Sequence, residues 1–145
     1  MTFDIRPASL FDLNSLQKLE HACFQNDAWP IFDLVAVLTF ANVIRLKAVI
    51  NNRMVGFIAG DPKPSENMAW IATLGVMPEY QNQGIGKELL RTCEEQLHAS
   101  RIRLCVRPGN LAALELYRQS GYLTIDRWMK YYNDGGEAIV MEKVI

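Results

Sequence analysis

The chain has 145 residues, a formal net charge of −1 and an apolar share of one half. That length suits one domain with a real core. No apolar run approaches the ~20 residues a membrane-spanning helix needs, and the near-neutral balance gives no electrostatic footprint for nucleic acid. The segment Met1-Thr2-Phe3-Asp4-Ile5-Arg6 is neither basic nor followed by an apolar signal region, so a cytoplasmic protein is expected. The three cysteines, Cys23, Cys93 and Cys105, are odd in number and far apart, with neither metal spacing nor a disulfide framework. His21 and His98 have no evident ligand partners and are expected to be structural or exposed.

Residues 3–6 alternate and predict a short first strand. Ser9-Leu10-Phe11-Asp12 resembles a capping box, and Leu13, Leu16, Leu19 and Phe24 predict an amphipathic helix. Asp27-Ala28-Trp29-Pro30 interrupts it, and Phe32, Val35, Leu38 and Phe40 predict a second helix. Residues 43–50 and 54–59 read as strands around the turn Asn51-Asn52-Arg53. Residues 60–67 are polar with two prolines and read as a loop; residues 69–76 are the next strand. Ile85, Leu89, Cys93 and Leu97 form one buried stripe of a helix. Residues 101–107 alternate around Ile102, Leu104 and Val106, and Pro108-Gly109 stops that strand. Asn110 is a good N-cap for a helix over 111–119, and Gly121 a good residue to end it. Residues 122–132 and 138–144 predict a final hairpin around Asn133-Asp134-Gly135-Gly136. The order is β-α-α-β-β-β-α-β-α-β-β, an α/β domain with a mixed sheet spanning residues 1–145.

The most informative stretch is Leu74-Gly75-Val76-Met77-Pro78-Glu79-Tyr80-Gln81-Asn82-Gln83-Gly84-Ile85-Gly86. An apolar strand ends, proline breaks it, and a glycine-bearing turn enters a helix. Such a corner offers unpaired backbone N–H groups and the positive end of a helix dipole, a ready site for a pyrophosphate. A Walker loop fails here, because Gln81 stands where its first glycine belongs and Glu88 where Ser or Thr belongs. A dinucleotide fingerprint fails at Leu89, where a third glycine is required. The string instead resembles the coenzyme A turn of the GNAT N-acetyltransferases.

Two further blocks carry that resemblance. Leu104-Cys105-Val106-Arg107-Pro108-Gly109-Asn110, continuing through Ala113, Leu116-Tyr117 and Gly121-Tyr122, is similar to a block of the N-terminal protein acetyltransferases. Tyr131-Tyr132-Asn133-Asp134-Gly135 with Ala138 and Met141 resembles the ending of the bacterial ribosomal-protein alanine branch. The resemblance covers nearly the whole chain. It implies a mixed, mostly antiparallel sheet flanked by helices, with splayed fourth and fifth strands. It also implies transfer of an acetyl group from acetyl-CoA to a primary amine, for preference a protein or peptide N-terminus, without a metal.

The implied roles fall on particular residues. The backbone of Leu74, Gly75 and Val76 binds the acetyl and pantetheine part, as a strand added to a sheet edge. Gln81, Asn82, Gln83, Gly84, Ile85 and Gly86 hold the pyrophosphate. Asn110 bonds the pantetheine arm, and Tyr117 points its hydroxyl at the thioester sulfur. Trp29, Pro30, Tyr131 and Tyr132 are candidates for lining the acceptor groove. Only one of the two tyrosines is expected to face it, since neighbours on a strand alternate.

Cys105 departs from the branch, which has a glutamate general base there. Three alternatives stay open. Cys105 packs while a water relay takes the proton; Glu20, Asp27 or Glu137 serves as base; or Cys105 is a covalent nucleophile. A small-amine acetyltransferase and a non-catalytic acyl-CoA-binding module are the rival functions, and a homodimer is compatible with the sequence.

Overall fold

The computed structural model describes residues 2–145. Strands β1 (Asp4–Pro7), β2 (Ile44–Ile50), β3 (Arg53–Lys63), β4 (Met68–Val76), β5 (Arg101–Val106), β6 (Leu123–Trp128) and β7 (Ala138–Val144) form one sheet in the order β1-β2-β3-β4-β5-β7-β6. Every neighbouring pair is antiparallel except β4 and β5. Helices α1 (Leu13–Phe24) and α2 (Ile31–Thr39) cover one face. Helices α3 (Ile85–Leu97) and α4 (Leu111–Gln119) pack against the other.

The spacing of apolar residues explains both layers. Ile85, Leu89, Cys93 and Leu97 of α3 are buried against Leu46, Val55, Ile58 and Ile102 of the sheet. On the opposite face Leu16, Leu19, Leu34 and Leu38 meet Phe57 and Ala59. Burying each such side chain contributes about 1.5–3 kcal/mol. Close approach of α3 needs glycine on β3: a Cβ at Gly60 would lie 2.8 Å from Cys93 Sγ.

Two predicted boundaries change. Residues 60–63 continue β3 and pair with β4 as far as Lys63 opposite Met68; the turn is only Pro64–Glu66. Ile44 of β2 pairs with Gly60, so from Asp61 onward β3 has β4 as its paired neighbour, and Pro62 is tolerated on such an edge. At the other end β6 stops at Trp128, and Tyr131 and Tyr132 lie in the turn before β7. Their N–H groups both donate to the Gly136 carbonyl, at 3.0 and 3.1 Å. Strand alternation therefore does not apply to them, and both reach the same cleft.

Two irregularities shape the centre of the sheet. β4 and β5 pair only over Met68–Trp70 and Arg101–Arg103, then part company. β4 also carries a bulge: Ala59 and Gly60 pair with Thr73 and Ile71, leaving Ala72 over. The bulge shifts the alternation by one. Ala69 and Ile71 before it, and Leu74 and Val76 after it, pack on the α3 side. Ala72 packs on the α1–α2 side, and a Cβ at Gly75 would lie 3.1 Å from Cys23 of α1. Bulges re-aim side chains in this way beside functional sites.

Among the described residues, no helix is long and apolar enough to cross a membrane.

Candidate active site

Where β4 and β5 separate, a cleft of about 1230 Å³ opens. Its walls come from the α1–α2 connection, the middle of β4, β5 with the start of α4, and the β6–β7 turn. Of the residues singled out from sequence, Asp27, Trp29, Leu74, Cys105, Asn110, Tyr117, Tyr131 and Tyr132 line it. Pro30 caps α2 and is exposed outside the lining.

The glycine turn follows β4 after one short 3-10 turn, Pro78–Tyr80. Gln81 is tied back by its side-chain amide, which donates to the Val76 carbonyl at 3.1 Å. Asn82 and Gly84 both have positive φ, 63° and 83°. Gly84 is the N-cap of α3 without any capping side chain, and a Cβ there would meet nothing within 4 Å. The first N–H groups of α3 thus face open space, as anion binding requires. Gly86 has a second duty: a Cβ there would press on Leu116 of α4 at 3.2 Å.

Helix α4 begins as predicted, with Asn110 Oδ1 accepting from the Ala113 N–H at 3.1 Å. Gly121, at φ 98°, ends it as predicted. Tyr117 is one and a half turns in, with its ring edge-on to Tyr122 at 5.9 Å. It is nearly buried, and burial pushes its hydroxyl up, so it stays protonated at any working pH. No side chain or carbonyl among the described residues accepts from it, yet it is not a sealed unsatisfied group, so its oxygen opens to the cleft.

Cys105 projects from β5 on the face opposite Leu104 and Val106. Burial pushes its thiol up, partly offset by the neighbouring Tyr131 hydroxyl. Cys23, also on the wall, donates to the Val76 carbonyl at 3.3 Å and is pushed up to about 11 by burial and by Glu20. Neither thiol has the electropositive setting that makes a reactive thiolate.

The three carboxylates named as base candidates fare differently. Glu137 is paired with Arg127 at 2.9 Å and lies outside the lining. Asp27 receives two bonds from Arg107. Glu20 is buried beneath the wall, where its oxygens accept from the Trp29 N–H at 3.2 Å and the Thr73 hydroxyl at 2.9 Å. Burial raises its carboxyl, against the lowering effect of those two donors.

Several site residues escaped the sequence reading. Arg107 binds Asp27 on one side and Asp134 at 3.1 Å on the other, and its guanidinium lies 4.1 Å from the centre of the Tyr132 ring. The Trp70 and Trp128 rings meet at a tilt, 5.8 Å between centres, and Trp128 meets Tyr131 in the same way at 5.8 Å. Tyr131 meets Tyr132 edge-on at 4.9 Å. The signal that could have found them is Arg107 inside the second block and the aromatic density around the third.

A sheet parted between β4 and β5, with an open helix N-terminus at the end of β4 and a tyrosine hydroxyl facing the gap, defines an acyl-transfer scaffold. The chain belongs to the acetyltransferase (GNAT) family, whose model matches residues 13–122, and it is an N-acetyltransferase. An uncharacterised N-acetyltransferase of Methanocaldococcus jannaschii is 31% identical over 96% of this chain and 90% of its own length. The N-alpha-acetyltransferase RimI of Mycobacterium tuberculosis is 30% identical over 99% of this chain and 96% of its own. Among solved structures, the ribosomal-protein-S18-alanine N-acetyltransferase of Escherichia coli superposes with a TM-score of 0.88 at 24% identity, covering 99% of this chain and 94% of that one. The likeness in sequence and in fold agrees with the resemblance carried by the three motif blocks.

Proposed function

We propose that this N-acetyltransferase uses acetyl-CoA and transfers the acetyl group directly to the α-amine of a protein or peptide N-terminus. The observation that carries the reading is the wall facing the β4–β5 gap. Trp29, Tyr131 and Tyr132 line a broad aromatic groove suited to a peptide's backbone and first side chains, and Arg107 ties the Tyr132 ring to Asp27 on the facing connection. The relatives named for N-alpha-acetylation support the same acceptor.

The chain's own residues supply what the chemistry needs. The open N–H groups from Gly84 into α3 suit a pyrophosphate. The stretch Leu74–Val76, paired with β3 but without a partner strand on its β5 side, offers backbone donors and acceptors to an extended arm, and an N–H to the developing oxyanion. Asn110 keeps its side-chain amide N–H for the same arm while its carbonyl oxygen caps α4. Tyr117 holds a proton at the gap for the departing sulfur, since a phenol kept neutral can donate to a thiolate. The raised thiol of Cys105 favours packing over covalent catalysis.

Steady-state turnover with acetyl-CoA and parallel panels of peptides and small amines tests the reading. Peptides with free α-amines should be preferred, with intersecting initial-rate patterns from a ternary complex. A small amine consumed far faster than every peptide would replace the acceptor class. No turnover alongside tight coenzyme A binding would favour a binding module.

A further inference from the structure

Glu20 is the buried acid that packing does not explain. It sits on α1 at 1% exposure, among leucines, and no lysine or arginine pairs with it among the described residues. His21 and Cys23 are the titratable neighbours on its own helix; the groups on β4 and the α1–α2 connection that face it are Thr73 and the Trp29 N–H. A carboxylate so placed is costly and survives only when hydrogen-bonded. Each of its oxygens has one donor, and one of those donors leads out to the cleft.

That donor is Thr73. The bulge at Ala72 turns Thr73 toward α1, where it lines the cleft while giving its proton to Glu20 Oε2 at 2.9 Å. A hydroxyl that donates inward keeps its lone pairs as acceptors outward. The acceptor amine meanwhile has to lose a proton, and Cys105, where the branch has its carboxylate, has a thiol pushed up by burial.

We propose that Glu20 is the proton acceptor of the reaction, reached through the hydroxyl of Thr73. This rests on the amine-acceptor reading above. The ammonium passes one proton to Thr73 Oγ1 while Thr73 passes its own to Glu20 Oε2, leaving a neutral amine. The N–C bond then forms and the C–S bond breaks. The second amine proton ends on the departing sulfur by way of Tyr117, so the thiol leaves neutral. Glu20 returns its proton to solvent when the products go.

The test uses the full chain with acetyl-CoA and a free primary amine that the enzyme acetylates, comparing Thr73→Val, Thr73→Ser and Glu20→Gln. Thr73→Val and Glu20→Gln should each lower kcat by about 30-fold or more, within the range of general base catalysis. KM for acetyl-CoA should stay within about twofold, and Thr73→Ser should keep at least about a third of the rate, because it restores the hydroxyl. The deficit should deepen from about pH 8.5 to about pH 6.5, as more of the amine is protonated. A folded Thr73→Val enzyme within about threefold of wild type at the lower pH would overturn the relay. The carbon NMR signal of the Glu20 carboxyl provides a test that needs no acceptor. An ionised carboxylate at the pH of turnover is expected, whereas a carboxyl still protonated there has no capacity to receive a proton and would overturn the relay. If some other primary amine replaces the α-amine, the acceptor reading fails while the relay is judged on that amine.

Discussion

Arg107 and Asp27 lie 80 positions apart in sequence, yet the guanidinium grips the carboxylate through two nitrogens, with Nη2 to Oδ1 at 2.8 Å. The pair joins β5's end to the connection between α1 and α2. Through Asp134 and the Tyr132 ring, the same guanidinium also holds the β6–β7 turn. One side chain thus fixes both walls of the cleft proposed to take the acceptor. Asp134 is correspondingly held below the usual carboxylate range, first by the Gly136 N–H and then by Arg107.

Arg107→Ala should therefore raise peptide KM by about tenfold, about 1.4 kcal/mol, while KM for acetyl-CoA stays within about twofold. Arg107→Lys should recover only part of the loss, since an ammonium has no planar fork for a bidentate grip or for stacking. Steady-state kinetics with each substrate varied in turn checks this. Equal losses for both substrates would mean that Arg107 supports the fold as a whole.

Donor binding should depend on the turn into α3. Gly84→Val puts a β-branched side chain at φ 83°, a conformation such residues resist, and aims it into the space in front of the helix N–H groups. Coenzyme A binding should weaken at least about tenfold, or roughly 1.4 kcal/mol. Calorimetry on the folded variant, with unchanged affinity, would move the pyrophosphate elsewhere.

Tyr117→Phe should leave coenzyme A affinity nearly intact and lower kcat by about 10²-fold or more, because the proposed role of the hydroxyl is to protonate the departing sulfur. The ring contact with Tyr122 survives the substitution, so stability should change little. An unchanged kcat with chemistry rate-limiting would return Tyr117 to the core.

Cys105→Ala should keep most activity, and incubation with acetyl-CoA alone should leave Cys105 unmodified. A stoichiometric adduct of about 42 Da on that thiol, passed on to acceptor, would establish covalent catalysis instead. Cys105→Glu tests whether a carboxylate regains a role on β5. Burial there opposes ionisation, so a gain is expected only if the Tyr131 hydroxyl bonds the new carboxylate.

The order of elements was legible because each has a strong local signal: the four-residue stripe of α3, the alternation of β5, the cap at Asn110 and the stop at Gly121. The glycine-bearing turn into α3 was legible for the same reason. The end of β3 was not, because Pro62 reads as a breaker and only tertiary context makes it an edge. The bulge at Ala72 was visible only faintly, as apolar residues at 69, 71, 74 and 76 that change phase midway. The walls of the cleft were legible only in part: Trp29, Tyr131 and Tyr132 stood out, but the contacts that hold the walls did not. Arg107 with Asp27, Trp70 with Trp128 and Glu20 with Thr73 are contacts between distant segments, and no local pattern encodes such partners. Placing Tyr131 and Tyr132 on a strand misjudged them for a related reason: tyrosine favours strands, but the Gly136 carbonyl draws both N–H groups into a turn.

Acetyl transfer to an α-amine is tested most directly with one peptide that carries both a free N-terminus and an internal lysine. The α-amine has a pKa of about 7.7–8.0 against about 10.4 for lysine, so near pH 7.5 far more of it is neutral. After incubation with acetyl-CoA and the enzyme, fragment mass spectrometry locates the added mass of about 42 Da. It should sit on the N-terminal residue, with the lysine unmodified. Acetylation of the lysine alone, or none on any peptide while a small amine is consumed, would contradict the account.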